Sequence, residues 1–146
     1  MVPKHSSIIW VEDDDNDIIL FKRAFAKTEI SNPLKIFNNA ETTLQYLTEL
    51  AQKDNRDELP VLILLDIKLP GDSGFKILKW IREHEKFSKT PVIILSSSQE
   101  TNDVIQAYDL GANSYVTKPY NFDELRELVE LIKNYWLSVN QHPYYL

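Results

Sequence analysis

Val61-Leu62-Ile63-Leu64-Leu65-Asp66-Ile67-Lys68-Leu69-Pro70-Gly71-Asp72-Ser73-Gly74 is the stretch whose reading decides the fold. Five apolar residues without alternation predict a strand buried on both faces. The carboxylate of Asp66 closes it, and the Pro/Gly turn that follows delivers that charge to the rim of a sheet. Upstream, Ile8-Ile9-Trp10-Val11 ends the same way in Glu12-Asp13-Asp14. Downstream, Val92-Ile93-Ile94-Leu95 runs into Ser96, and Ser114-Tyr115-Val116-Thr117 runs into Lys118-Pro119. In chain order, four short strands end in acid, acid, hydroxyl and amine, a set suited to handling phosphate and metal.

Working outward, strand and helix signals alternate, which predicts an α/β fold with a parallel sheet covered on both sides. Ile18, Phe21 and Phe25 recur at helical spacing after the first strand. A weaker strand, Leu34-Lys35-Ile36-Phe37, follows the turn Ser31-Asn32-Pro33. A second helix aligns Ala40, Leu44, Leu47 and Ala51, with Asn39 as its cap. A charged loop spans Lys53 to Glu58. The third helix begins at Gly74 and carries Phe75, Leu78 and Ile81. The fourth, about Gln99 to Leu110, has a thin apolar set of Val104, Ile105 and Tyr108 and stops at Gly111. The fifth aligns Leu125, Leu128, Val129, Ile132 and Trp136, and opens on a capping box of Asn121 and Glu124.

The chain has 146 residues, 43% hydrophobic and 26% charged, which suits one globular domain. A net charge of −6 argues against a nucleic-acid-binding face. There is no cysteine, so disulfide and thiol chemistry are excluded. The segment Met1 to Ser6 is too short and polar for a signal peptide, and no apolar run reaches the roughly 20 residues of a membrane helix. These features lead us to expect a cytoplasmic domain that binds neither nucleic acid nor membrane.

The order of strand ends, together with the D-x-x-L-P-x-x-x-G spacing from Asp66 to Gly74, resembles the receiver domain of two-component response regulators over residues 6–138. The resemblance implies a doubly wound five-stranded sheet of flavodoxin-like order 2-1-3-4-5, helices on both faces, with ligands at the switch point between strands 1 and 3. It implies that Asp66 receives a phosphoryl group from a sensor histidine kinase. Glu12 and Asp13 match the acidic pair, Ser96 the switch hydroxyl, Tyr115 the switch aromatic, and Lys118 the phosphate-contacting lysine with its partner Pro119.

Carboxylates packed together repel, and a divalent cation relieves this. We expect Mg2+ or Mn2+, with Asp13 and Asp66 as direct ligands, Glu12 acting through a water and, by resemblance, the backbone carbonyl of Lys68 as third oxygen. Lys118 supplies a second positive charge and Ser96 a hydroxyl donor. A cis Lys118–Pro119 bond would aim the amine inward. The resemblance further implies that phosphorylation draws Ser96 inward and Tyr115 after it, altering the face of the fourth helix, fifth strand and fifth helix. Asp14, Asp15 and Asp17 read as helix capping and dipole compensation. His5, His84 and His142 read as surface residues, and Trp10 and Trp80 as packing.

Glu12 stands where the family more often has aspartate, and Lys68 and Ser98 sit where they would tune phosphoryl lifetime. No output domain follows in this sequence, so the expected output is a protein contact. The Leu64-Leu65-Asp66-Ile67-Lys68-Leu69-Pro70 turn, the long loop before it and the end of the fifth helix resemble single-domain regulators that partner bacterial phytochrome kinases. In that branch the fourth helix, fifth strand, fifth helix and tail form a homodimer. Here the tail is 139–146. Trp136, Val139, Tyr144 and Tyr145 fit such an interface, the alternative being that they dock on their own domain. Two other functions start from similar patterns. A phosphatase of haloacid-dehalogenase type needs a second acid two residues after the first, where Lys68 stands. A flavodoxin-like cofactor site needs a phosphate cradle after strand 1, where five acids fill six positions.

Overall fold

A computed structural model describes residues 2–145. Its sheet has five parallel strands in the order β2-β1-β3-β4-β5, with β1 at Ile8–Val11, β2 at Leu34–Phe37, β3 at Leu62–Leu65, β4 at Val92–Ser96 and β5 at Ser114–Thr117. Helices α1 (Asp15–Ala26), α2 (Ala40–Ala51), α3 (Gly74–Glu83), α4 (Thr101–Asp109) and α5 (Phe122–Asn134) connect or follow them. This is the predicted doubly wound architecture.

The unbroken apolar runs have a simple cause, because successive side chains of a strand point to opposite faces. Ile9, Val11, Ile63, Leu65 and Ile94 pack with Leu47, Ile77, Ile81 and Ala107 of α2, α3 and α4. Ile8, Trp10, Leu62, Leu64, Ile93 and Leu95 pack with Phe21 of α1 and Leu125, Val129 and Ile132 of α5. The three central strands are buried along their whole length, whereas edge strands β2 and β5 are half-buried.

The caps fall where the sequence puts them. Asn39 accepts from the Thr42 amide at 2.8 Å and Asn121 from the Glu124 amide at 2.8 Å. Gly111 takes φ 99°, which favours glycine, and ends α4. Gly74 has a different necessity. A Cβ there would sit 2.0 Å from the Asp66 carbonyl oxygen, so only glycine lets α3 begin against the end of β3.

Two expectations are corrected, and of the two readings of the tail the structure favours one. His142 is buried, not on the surface, with 3% exposure. Its Nε2 lies 3.0 Å from the Val61 carbonyl, and its Nδ1 accepts the Tyr144 amide at 3.2 Å. The tail therefore returns to its own domain: the Tyr145 hydroxyl reaches the carbonyls of Arg56 and Leu59, and the Tyr144 hydroxyl accepts the Lys89 amide. These contacts satisfy polar groups at the amino ends of the strands, and they take Tyr144 and Tyr145 away from a free interface. Beyond α5 the chain continues as a π-helical stretch, Tyr135–Val139, which leaves Val139 exposed. Lastly, the Lys118–Pro119 peptide is trans. The register Ser96↔Thr117 and the 2.8 Å bond from the Lys118 amide to the Ser96 carbonyl already bring Lys118 to the rim beside β4, so no cis bond is needed to aim it.

Candidate functional site

Chain order reverses at β1, which lies between β2 and β3, so a crevice opens at the carboxyl ends of β1 and β3. The residues that end these strands meet there. Glu12, Asp13 and Asp66 each offer a carboxylate oxygen within 4.8 Å of the others. Glu12 and Asp66 are buried and Asp13 is exposed. The cleft around them, about 460 Å³, also takes in Asp14, Asp15, Asp17, Lys68, Ser97 and Lys118, which sets six acids against two lysines.

Backbone amides hold the Glu12, Asp66 and Asp14 carboxylates in place. Glu12 Oε2 accepts the amides of Asp13 (3.0 Å) and Asp14 (3.3 Å), while its Oε1 contacts the Lys118 ammonium. Asp66 Oδ1 accepts the Lys68 amide at 3.1 Å, and Oδ2 accepts from Lys118 Nζ at 2.9 Å. Asp14 caps α1 by accepting the Asp17 amide at 3.0 Å, as its position predicts. Asp17 does more than compensate a helix dipole, because its Oδ2 lies 3.0 Å from Lys118 Nζ. Nothing local marked this contact: Asp17 is one of five acids in six positions and its partner is 101 residues away.

Burial pushes the Glu12 carboxyl up to about 7, although Lys118 beside it acts in the opposite sense. The Lys118 amine is held well above the usual lysine range: burial opposes its charge, but Glu12 and Asp66 outweigh that. One lysine thus leaves a buried carboxyl with raised proton affinity in an all-oxygen donor set. That set fits a hard divalent cation such as Mg2+ or Mn2+, bound by carboxylates that lose their repulsion as it enters.

Ser96 and Tyr115 sit behind this cleft. Ser96 is fully buried and its Oγ accepts the Ser98 amide at 3.3 Å, whereas Ser97 faces the cleft. The Tyr115 hydroxyl donates to the Ser98 carbonyl at 2.9 Å. Ser98 Oγ in turn donates to Asp103 Oδ2 at 2.5 Å, within α4. Ser98 therefore ties the loop after β4 to both α4 and β5.

A doubly wound sheet with an acid cluster and a half-buried lysine paired to it at the switch point defines a class of signalling α/β domain. The chain belongs to the response regulator receiver domain family, whose model matches residues 8–130. The probable methanogenesis regulatory protein FilR2 of Methanothrix harundinacea is 35% identical over 93% of this chain and 86% of its own length. Response regulator Rcp1 of Synechocystis sp. is 32% identical over 93% of this chain and 92% of its own. Among solved structures, the phosphorylated cyanobacterial phytochrome response regulator RcpA superposes with a TM-score of 0.85 at 32% identity, covering 95% of this chain and 99% of that one. The Mn2+-bound form of Rcp1 gives 0.81 at 30% identity, covering 94% and 99%. Among the described residues no helix is long and apolar enough to cross a membrane.

Proposed function

We propose that this domain, residues 6–138, is the phosphoacceptor switch of a two-component pathway, taking its phosphoryl group on Asp66 from a sensor histidine kinase of phytochrome type. The observation that carries this reading is the buried Asp66 carboxylate, joined to Lys118 at 2.9 Å and within 4.8 Å of Glu12 and Asp13.

In the reaction an Asp66 carboxylate oxygen bonds to phosphorus while the N–P bond of a phosphohistidine breaks. The leaving imidazole keeps the electron pair. Such transfer depends on placement and charge neutralisation, with little covalent work for other side chains. Asp13, Asp66 and the Lys68 carbonyl would hold a divalent cation such as Mg2+ or Mn2+, with Glu12 acting through a water, and the ion would supply part of that neutralisation. The Lys118 ammonium provides the rest by pairing with a phosphoryl oxygen. The same residues serve hydrolysis of the acyl phosphate, so the domain catalyses both its own loading and unloading.

For the switch, the chain of contacts Ser96–Ser98–Tyr115 supports coupling between the acceptor side and the α4–β5–α5 face. Ser96 accepts the Ser98 amide and keeps its own O–H to donate to a phosphoryl oxygen, so a shift of Ser96 toward that oxygen pulls on the segment that Tyr115 holds. Ile105 and Tyr108 of α4, with Tyr135 and Val139 after α5, are exposed apolar residues, which favours a homodimer. We place this exchange in the cytoplasm, where a kinase's phosphohistidine is presented. A phosphatase of haloacid-dehalogenase type is disfavoured because Lys68, a cation, stands where an acid must protonate the leaving group.

The test is incubation with Mg2+ and acetyl phosphate, read by intact mass and by size-exclusion chromatography. We expect one phosphoryl adduct, labile in base, lost on Asp66→Asn and accompanied by a shift toward dimer. An adduct that survives Asp66→Asn refutes the assignment.

A further inference from the structure

We propose that Asp17 is a positioning residue, a displaceable counter-ion that competes with the phosphoryl group for the Lys118 amine. The inference rests on the phosphoacceptor reading and assigns to that site a control element in α1.

A lysine ammonium has three donors and no acceptor. The Lys118 ammonium is crowded by three carboxylates: it donates to Asp66 at 2.9 Å and to Asp17 at 3.0 Å, and it is in direct ionic contact with Glu12. For the amine to meet a phosphoryl oxygen, one contact must open. Glu12 cannot readily yield, since its side chain has no exposure and two backbone amides hold its other oxygen. Asp66 is the acceptor and carries the incoming group itself. Asp17 remains. Its side chain is 40% exposed, so its charge rehydrates when it swings away, and its backbone is fixed by the first turn of α1. Only a rotamer has to change. Breaking an ion pair that is partly open to water costs little, whereas stranding a buried one costs much.

Beneath this contact a small cavity between α1 and the Lys118–Pro119 turn is bounded by Trp10, Leu20, Phe21 and Leu125. This void borders both Asp17 and Lys118, so the amine is not tightly packed on this side. Because Asp17 spans from α1 to the end of β5, its release also unties the first turn of α1 from the phosphoryl site.

The experiment compares wild type with Asp17→Asn, Asp17→Glu and Asp15→Asn, in acetyl phosphate with Mg2+. Asp15 lines the same cleft and removes the same charge without touching Lys118. We expect Asp17→Asn to raise the rate at saturating donor by about three- to tenfold. Asp17→Glu should restore the wild-type rate, and Asp15→Asn should change it less than about twofold. A second readout, the 15N signal of the Lys118 ammonium without any donor, should move in Asp17→Asn and stay in Asp15→Asn. Equal effects of Asp17→Asn and Asp15→Asn, or an unmoved Lys118 signal, overturn the proposal while leaving the acceptor reading intact. No adduct on wild type overturns the acceptor reading, and this inference falls with it.

Discussion

Replacing Gly74 by alanine asks whether the start of α3 truly leans on the acceptor's own backbone. A Cβ at position 74 would lie 2.0 Å from the Asp66 carbonyl oxygen and 2.9 Å from both the Asp66 carbonyl carbon and the Ile67 Cα. All three are main-chain atoms, so no side chain can rotate aside. The shortfall from an ordinary contact of roughly 3.5 Å exceeds an ångström, and either α3 or the end of β3 must move. Overpacking of this kind costs about 1–3 kcal/mol. At an unstrained site, Gly→Ala would instead stabilise by about 0.4–1 kcal/mol through the unfolded chain. The clash dominates, and a net loss of about 2 kcal/mol corresponds to a fall in Tm of roughly 4–8 °C for a domain of this size. Moving the Asp66 backbone also moves its carboxylate, so adduct formation with acetyl phosphate should slow. Gly71→Ala is the control: φ is 79° but nothing lies within 4 Å. It should cost only the backbone penalty, about 1–2 kcal/mol, and leave phosphorylation unchanged. A Gly74→Ala protein with wild-type Tm and wild-type adduct rate would refute the reasoning.

The other predictions probe different parts of the molecule. Arg82 donates to the carbonyls of Gly111 (2.8 Å), Ser88 (3.1 Å) and Thr90 (2.8 Å) and to Asn113 Oδ1 (2.8 Å). Arg82→Ala should therefore lose about 2–4 kcal/mol in urea unfolding while the adduct rate is retained, and lysine, lacking the planar fork, should recover less than half of that loss. Burial pushes the His142 imidazole below its usual 6.5, against the raising effect of the Val61 carbonyl. The unfolded chain then takes up the proton first, so this residue's contribution is complete above pH 6.5 and declines as pH falls toward the folded value. Thermal melts from about pH 7.5 to about pH 5 should show a steeper acid loss for wild type than for His142→Gln, and parallel curves would remove the effect. Tyr115→Phe deletes one hydroxyl donated to the Ser98 carbonyl at 2.9 Å and should cost about 1 kcal/mol. It should leave the adduct intact and shrink any phosphorylation-dependent dimer shift in size-exclusion chromatography.

Strand identity, element order and the chemistry at each strand end were legible in the residues alone. Short apolar runs such as Leu62–Leu65, bounded by turn residues, read as strands buried on both faces, and Asp66 then stands at the rim, because run length and flanking turns are local features. The helix caps at Asn39 and Asn121 were legible for the same reason, since a cap acts within three residues. Tertiary structure alone decided which side chains face one another across long stretches of chain. It set Asp17 against Lys118, buried His142 beneath the strands' amino ends, turned Ser97 rather than Ser96 toward the cleft, and kept the Lys118–Pro119 bond trans. Each of these depends on how a helix or loop lies over the sheet, a distance through space that no local spacing encodes.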